Sequence, residues 1–386
     1  MKIFFKVFFC LILSITLVIL SSSFIKDEVY DINNDLTVIK LPPLEQRVLK
    51  QMSLEEKVGQ LLLFGFNGLE MDKNTKDLIN NKHIGGVLLL AKNISNASQL
   101  TNLNSQLQSQ ARIPLLISID QEGGVVSRIK WEKELLISQK NMGGEEDIYS
   151  LSVKRAKILK PLGINVNLAP VVEYITDTNS FLYPRVFSGN IQEISRKAYS
   201  AIKGYKDSNM ISVAKHYPGH SNLSTDSHFS LPKVYVSKEN WDEYVFPFKY
   251  LIEQGMVDVI MVGHILYPNI DSKVSTISEV IVNEKLRKEL NYEGVVITDD
   301  MQMDAIEKQG DDCKIAKEAL KAGNDILLYS MYYLKPNIER EIYDCILNSV
   351  NSGEISLEDI DQKVLRVLRL KIKYGLIDKT ILQPQE

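Results

Sequence analysis

The chain has few cysteines, tryptophans and histidines: 3, 2 and 5 among 386 residues. So few cysteines exclude a disulfide-built scaffold, and we interpret Cys313 and Cys345, both in helix-like segments, as buried free thiols. Basic residues are not in excess either, since 45 Lys and Arg stand against 49 Asp and Glu, a formal net charge of −4. A nucleic-acid-binding protein would show a basic face, so we expect no nucleic acid partner.

One long apolar run is present, from Val7 to Leu20. Lys2 and Lys6 precede the run and Ser21-Ser22-Ser23 follow it, which is the order of a secretory signal. The run is somewhat short for a membrane span, but an uncleaved anchor remains the alternative. We expect residues 1–25 to be a signal peptide or N-terminal anchor. The protein is then exported, and is secreted, periplasmic or anchored at the outer face, touching the membrane only through this segment.

The rest of the chain alternates between two kinds of segment. Residues 26–43 are mostly polar and end in Leu41-Pro42-Pro43, which predicts a linker before a folded domain over 44–386. Eight short apolar runs follow: Leu61–Phe66, Gly85–Leu90, Pro114–Asp120, Ile164–Ala169, Ser212–His216, Asp258–His264, Gly294–Asp299 and Asp325–Tyr329. Strands that alternate with helices predict a parallel sheet. Eight of them predict a (β/α)8 TIM-type barrel as a single catalytic domain. A doubly wound open sheet is the alternative, weakened because no G-x-G-x-x-G follows the first strand.

Helical signals lie between the apolar runs. Ser53-Leu54-Glu55-Glu56 has the pattern of a capping box, and Lys363–Tyr374 predicts a final helix. The other amphipathic stretches are Ala97–Ala111, Ile191–Tyr205, Glu239–Glu253, Ser278–Leu290 and Lys314–Ala322.

Ionisable residues stand at the ends of four predicted strands. The endings are Asp120-Gln121-Glu122-Gly123-Gly124 with Arg128 beyond, Lys215-His216, Gly263-His264, and Thr298-Asp299-Asp300. Carboxyl ends of barrel strands meet on one face, where active sites form. We therefore predict a functional site at this rim.

The types of residue suggest roles. A carboxylate at the top of a buried strand, Asp299, can attack an electrophilic carbon or stabilise positive charge, while Asp300 is the better candidate for a helix N-cap. Asp226 and His228 lie two positions apart, so the carboxylate can orient the imidazole for general acid/base work. Lys215, His216 and Arg185 are suited to hold hydroxyls and an amide.

Two other chemistries compete for the segment 215–228. His216, His220 and His228 could form a zinc site, but no His-Glu-x-x-His occurs and the Pro218-Gly219 turn breaks any helical spacing. A Schiff-base lysine at Lys215 is the other possibility. It would leave Asp226, His228 and Asp299 without a shared purpose, so acid/base work is favoured.

Several spaced motifs resemble glycoside hydrolase family 3, in its β-N-acetylhexosaminidase branch. The resemblance runs from about Leu54 to Tyr374. Its central motif is Lys215-His216-Tyr217-Pro218-Gly219-His220 followed by Asp226-Ser227-His228. The other motifs, in chain order, are Gly85-Gly86-Val87 before Lys92-Asn93-Ile94, Asp120-Gln121-Glu122-Gly123-Gly124, Asn165–Pro170, and Ile297-Thr298-Asp299-Asp300-Met301.

The resemblance implies a barrel enzyme that removes terminal β-linked N-acetylglucosamine with retention, without a metal or other cofactor. Asp299 matches the nucleophile, and His228, held by Asp226, matches the acid/base, so an imidazole replaces the usual second carboxylate. The glycan substrate is expected to be a cell-wall fragment or a related glycan. The residues that match the sugar-binding set are Asp120, Arg128, Arg185, Lys215 and His216.

Three departures from the family pattern concern the substrate. Ser221-Asn222-Leu223 stands where Gly-Asp-Thr is common, Pro184 and Val186 flank Arg185, and Val125 replaces a frequent arginine. They leave open which glycan is accepted. β-Glucosidase or phosphorylase activity on the same barrel, and glycan binding without turnover, are the alternative functions.

Overall fold

A computed structural model describes residues 28–30, 38–330, 335 and 337–383. The predicted signal or anchor, residues 1–25, lies outside them. Among the residues described, no helix combines the length and apolar character needed to cross a membrane. The chain divides into two compact units between Arg47 and Val48.

The predicted linker contains regular structure. Strand β1 (Glu28–Tyr30) pairs antiparallel with β2 (Val38–Lys40), with Val29 opposite Ile39. Val, Ile and Tyr favour strands, which explains why two short strands form within an otherwise polar segment.

The second unit contains one large sheet and a short hairpin. Its strands are β3 (Leu62–Gly65), β4 (Gly86–Leu89), β5 (Leu116–Ile119), β6 (Gln121–Gly123), β7 (Val126–Ser127), β8 (Val166–Asn167), β9 (Ile211–Ser212), β10 (Ala214–Tyr217), β11 (Val259–Val262), β12 (Val295–Asp300) and β13 (Ile326–Tyr329). β6 and β7 form the antiparallel hairpin. The other nine strands form a parallel sheet in the order β10-β11-β12-β13-β3-β4-β5-β8-β9.

The two ends of this sheet belong to one predicted strand. Val213 alone separates β9 from β10. Its amide donates to Ala169 O, just after β8, over 2.9 Å, so the segment stays hydrogen-bonded to that part of the chain. The sheet therefore curves round into a (β/α)8-type barrel whose fifth strand is in two segments. The predicted fold class is confirmed.

Helices connect the strands. Their bounds are Leu44–Gln51, Leu54–Gln60, Lys73–Asn80, Ala97–Gln110, Lys133–Leu136, Glu145–Leu159, Ile191–Asp207, Trp241–Tyr244, Phe246–Glu253, Val280–Glu289 (a π-helix), Asp304–Glu307, Asp312–Ala322, Ile338–Asn351 and Leu357–Lys373. Short 3-10 turns are Ala91–Asn93, Gln139–Asn141, Lys160–Leu162, Ser275–Ile277 and Lys379–Leu382.

The capping box at Ser53 is present, with the Ser53 amide donating to the Glu56 carboxylate at 2.9 Å. The helix predicted over Glu239–Glu253 is two helices, because Pro247 lies in the first turn of the second one, where proline favours a helix start.

The core of the barrel follows the alternation of its strands. Buried residues two apart, such as Val295 and Ile297, point inward and pack with the helix Leu357–Lys373. Side chains of a strand alternate between its faces, so the next inward position on β12 is Asp299. The same alternation places Asp120 beyond β5, Lys215 on β10 and Ser330 beyond β13 in the top layer. The layer at the carboxyl ends is thus polar.

The expectation of free thiols is wrong. Cys313 and Cys345 form a disulfide, with Cα atoms 5.7 Å apart across 32 positions of sequence. The helices Asp312–Ala322 and Ile338–Asn351 pack side by side and bring the two half-buried cysteines together. Each helix pattern could be read from sequence, but their pairing is a tertiary contact.

Candidate active site

A cavity of about 370 Å³ opens at the carboxyl ends of the strands. Seven of the eight predicted site residues line it: Asp120, Arg128, Arg185, Lys215, His216, His228 and Asp299. The eighth, Asp226, is bonded to His228 at the edge. The loop and strand-end positions that were far apart in sequence therefore converge on one cavity.

The floor of the cavity is a network of buried and half-buried charges. Lys215 Nζ lies 2.8 Å from Asp120 Oδ1 and 2.7 Å from Glu122 Oε1. Arg185 donates two parallel hydrogen bonds to Glu122, from Nε to Oε2 at 2.9 Å and from Nη2 to Oε1 at 2.8 Å. Arg128 Nη2 reaches Asp120 Oδ2 at 3.3 Å. We call Asp120, Glu122, Arg185 and Lys215 the floor network.

The charged groups of this network keep one another ionised. Burial alone would raise the pKa of the Asp120 and Glu122 carboxyls, but Lys215 and Arg128 lower that of Asp120, and Arg185 and Lys215 lower that of Glu122 to about 2. Burial likewise opposes the charge of Lys215, yet the two carboxylates raise its pKa. All four groups are therefore ionised at neutral pH and offer fixed donors and acceptors to a ligand.

Sequence reasoning assigned no role to Glu122, although it lies inside the Asp120–Gly124 motif. It missed Glu173 altogether. A signal for Glu173 existed: it follows the apolar Ala169-Pro170-Val171-Val172 run, where a carboxylate is costly without partners.

Glu173 organises two of the histidines. Its Oε1 accepts from the His216 amide at 3.1 Å and contacts His216 Nδ1 at 2.8 Å. The His220 amide donates to Oε2, and His220 Nδ1 lies 3.2 Å from Oε1. His220 Nε2 lies 3.3 Å from Ser227 Oγ. His220 therefore links the loop that follows β10 to the loop that follows β8.

The same three residues have the geometry to hold a metal. One ligand atom each from Glu173, His216 and His220 lie within 4.8 Å of one another, and all three residues are buried. His228, the third histidine of the zinc hypothesis, is not among them. In the structure the Nδ1 atoms of His216 and His220 both face Glu173, so these groups satisfy one another by hydrogen bonding.

Asp299 lies at the end of β12 beside imidazoles. Burial would raise the pKa of its carboxyl, but His216 and His264 hold it below its usual value. His264 is itself fixed, with Nδ1 2.6 Å from Thr276 Oγ1 and Nε2 2.9 Å from Asp300 O. Asp299 is therefore a half-buried carboxylate that stays ionised, as a nucleophile requires.

Asp300 does not cap a helix, contrary to the sequence expectation. The next helix, Asp304–Glu307, begins after Met303. The Asp300 carboxylate instead accepts from Gln302 N and Ser330 N, both at 3.1 Å, and from Ser330 Oγ. Burial raises the pKa of Asp300 to about 6. It joins the carboxyl ends of β12 and β13 rather than ending a helix.

The pair of Asp226 and His228 lies at the rim. His228 Nδ1 is 2.7 Å from Asp226 Oδ1, and the His228 amide donates to the same oxygen at 2.9 Å. The His228 side chain is 53% exposed. With Nδ1 directed at the carboxylate, Nε2 is the nitrogen left to exchange a proton with a ligand or water. We call Asp226 and His228 the rim pair.

The site thus combines an ionised carboxylate, an oriented imidazole and a floor of paired charges. A carboxylate and an acid/base facing one cavity can carry out a two-step displacement at an electrophilic carbon. The floor network offers donors and acceptors for a polyhydroxylated ligand.

Comparison with known proteins agrees with this chemistry. Residues 53–370 match the family model described as glycosyl hydrolase family 3 N terminal domain. The chain is 32% identical over 326 residues to beta-hexosaminidase A of Pseudoalteromonas piscicida, covering 77% of this chain and 54% of that protein. It is 31% identical over 272 residues to the beta-hexosaminidase of Photobacterium profundum, covering 69% and 80%. The chain therefore spans about half the length of the first relative and most of the second.

A solved structure extends the likeness to three dimensions. The family 3 β-N-acetylglucosaminidase of Paenibacillus sp. superposes with a TM-score of 0.80 at 34% identity, covering 84% of this chain and 63% of that one. At 24% identity, LpqI of M. tuberculosis superposes with a TM-score of 0.77, covering 85% and 96%, and supports the fold alone.

Proposed function

The chain belongs to glycosyl hydrolase family 3, and we propose that it acts as a retaining, exo-acting β-N-acetylglucosaminidase. It removes terminal β-linked N-acetylglucosamine from cell-wall fragments or related glycans. The observation that carries the proposal is the convergence of ionised Asp299 and the oriented imidazole of His228 on one cavity. The names of the relatives, beta-hexosaminidase and β-N-acetylglucosaminidase, support the choice of sugar.

The first step forms a glycosyl-enzyme intermediate. An Asp299 oxygen attacks the anomeric carbon while His228, as imidazolium, gives its Nε2 proton to the leaving glycosidic oxygen. Asp226 accepts from Nδ1 of the same ring and holds it in this orientation. The C–O bond to the leaving group breaks as the bond to Asp299 forms, and the departing alcohol carries the proton.

The second step reverses the roles. His228, now neutral, takes a proton from a water molecule, and the water oxygen attacks the anomeric carbon and displaces Asp299. Two displacements at one carbon give net retention. The floor network and Arg128 hold the sugar hydroxyls and amide in both steps through fixed, ionised groups. Fixed donors lower the barrier because they need not reorganise during the reaction.

A screen of aryl glycosides on the purified chain from Phe24 onward tests the activity. We expect the N-acetylglucosaminide to be the preferred substrate and proton NMR to show the β-anomer of N-acetylglucosamine as first product. Asp299→Asn, with similar shape and no charge, should abolish turnover and keep the wild-type unfolding curve. A first-formed α-anomer, or turnover by Asp299→Asn near the wild-type rate, would refute the proposal. Added phosphate should leave the product unchanged, and formation of a sugar 1-phosphate would favour phosphorolysis.

We also propose that the protein is exported, with the glycan as its partner outside the cell. The disulfide between Cys313 and Cys345 supports this, since structural disulfides persist in oxidising compartments. Fractionation of cells that express the full chain, beside a variant that lacks residues 2–25, tests the proposal. Export predicts activity in the external, periplasmic or membrane fraction for the full chain only, with Cys313 and Cys345 resistant to thiol labelling. Equal cytoplasmic activity of both forms contradicts it.

A further inference from the structure

A second cavity, of about 640 Å³, opens near the amino ends of β12 and β13, at the opposite end of the barrel from Asp299. It is lined by residues of the helices Val280–Glu289 and Leu357–Lys373 and of the turn before β13. The basic residues in its lining are Arg287, Lys321, Lys363 and Arg366, and the acidic ones are Glu279 and Asp359. This second cavity shares no lining residue with the candidate active site.

A single buried carboxylate faces two guanidinium groups there. Asp325, whose side chain is fully buried, accepts from Arg287 Nη2 at 2.5 Å and from Arg366 Nε at 2.8 Å. The guanidinium of Arg287 also donates hydrogen bonds to backbone carbonyl oxygens, including Gly323 O at 3.1 Å. Arg366 makes one bond through Nε, and within the described part of the chain its two terminal nitrogens have no hydrogen-bond partner.

Lys363 adds a third cation, which Asp325 and Asp359 attract. It is 6% exposed and lines the second cavity. Over the residues that the structure describes, its ammonium makes no hydrogen bond and no ion pair. Burial lowers the pKa of Lys363 to about 8; Asp325 and Asp359 oppose the shift, while Arg366 and Arg287 add to it. Two neighbouring guanidinium groups repel the Lys363 ammonium, so an anion bound in the cavity would offset that repulsion.

We propose that the second cavity binds an oxyanion, the phosphate or carboxylate group of a small molecule, between Lys363 and the terminal nitrogens of Arg366. Guanidinium and ammonium donors together suit such groups, since the first bonds in a plane and the second acts as a point charge. This anion site lies apart from the candidate active site, and the proposal does not depend on the proposed glycosidase activity.

Calorimetric titration of the full chain with inorganic phosphate and with acetate tests the site. Lys363→Met keeps the length of the side chain and removes the charge, and we expect affinity for the bound anion to fall about tenfold or more, the loss of one charge-assisted hydrogen bond. Lys288→Met is the matched control. It removes the same charge from a 70% exposed lysine on the neighbouring helix, paired with Glu284, and should leave the affinity unchanged.

The variant should fold, because replacing a charge that makes no hydrogen bond or ion pair with an apolar chain of similar length is often neutral or stabilising. Urea unfolding and aryl glycosidase assays, both expected to match the wild type, verify this. Binding of either anion that depends on Lys363 supports the proposal, and the preferred anion identifies the head group. Binding that Lys363→Met leaves intact belongs elsewhere, for example in the active site, and overturns it. So does the absence of binding heat from both anions in the wild-type protein.

Discussion

The floor network and the rim pair hold charge in opposite ways. In the floor network the Glu122 and Lys215 side chains are 1% and 3% exposed, and each contacts two partners of opposite charge. In the rim pair His228 is 53% exposed, and Asp226 is its one ion-pair partner in the part of the chain that the structure describes. Both regions face the same cavity.

The difference follows from what each region has to do. A group that positions a sugar works best when it is fixed before the ligand arrives. Burial supplies this, provided that every charge is paired. A group that exchanges protons in each cycle must reach both the glycosidic oxygen and water. The floor network should therefore govern stability and affinity together, whereas the rim pair should govern rate alone.

The largest expected effect is on rate, at the rim. His228→Ala should lower kcat/KM for substrates with poor leaving groups by about 10²–10⁴-fold, the range for general acid/base catalysis. The free energy of unfolding should change by less than about 0.5 kcal/mol, as for other exposed positions. Steady-state kinetics on an oligosaccharide and urea unfolding measure the two quantities.

An activated aryl glycoside is the control for this variant. Its leaving group needs little protonation, so the loss in the first step should be much smaller than on the oligosaccharide. Equal losses on both substrates would argue against an acid role for His228. Marked destabilisation would remove the distinction between rim and floor.

The second effect is on stability, at the floor. Lys215→Met removes the cation shared by Asp120 and Glu122, and should destabilise the fold by about 3–5 kcal/mol, the range for breaking a buried ion pair. Lys203→Met is the matched control. Its lysine is 43% exposed, pairs with Asp207 and lies 5.3 Å from the centre of the Tyr149 ring, so the cost should stay below about 1 kcal/mol. Similar costs for both variants would show that burial of the floor network has no energetic consequence.

The rim and the floor also differ in what the sequence could predict. Apolar runs ending in charges predicted where the strands end, and the two-residue alternation explains why Asp120, Lys215 and Asp299 point into the barrel. The pairing of Asp226 with His228 was predictable because the two residues are neighbours in sequence.

Contacts between distant segments were not predictable. Glu173 meets His216 across 43 positions, and Arg185 meets Glu122 across 63. The sequence supplies the charges, but their partners depend on which loops the closed barrel brings together. The same limit explains the missed disulfide, whose cysteines lie on two separate helices.

The third prediction uses pH to separate the two regions. The pKa of Glu122 is lowered from 4.5 to about 2 in the folded protein. Its contribution to stability is therefore full above the unfolded value and is lost as the pH falls from about 4.5 toward 2. One pKa unit corresponds to about 1.4 kcal/mol, so Glu122 alone accounts for roughly 3 kcal/mol of the loss.

Urea unfolding at about pH 7, 4 and 3 measures how much of this stability is lost as Glu122 becomes protonated. Glu122→Gln should be less stable than wild type at pH 7 and should lose less stability on acidification. An unchanged slope of stability against pH in Glu122→Gln would mean that the acid sensitivity arises outside the floor network.

The smallest expected effect concerns Glu173, which contacts His216 and His220. Glu173→Gln keeps the shape and one acceptor oxygen but loses the negative charge that faces His216 and His220. We expect destabilisation of about 1–3 kcal/mol, because amide donors that met a charged acceptor now meet a neutral one. Glu243→Gln, at an exposed position of the helix Trp241–Tyr244, is the control and should be neutral. If Glu173→Gln lowers kcat for the oligosaccharide and keeps wild-type stability, Glu173 acts on the reaction through His216 instead of holding the loop, and the division between a stabilising floor and a catalytic rim has to be redrawn to include it.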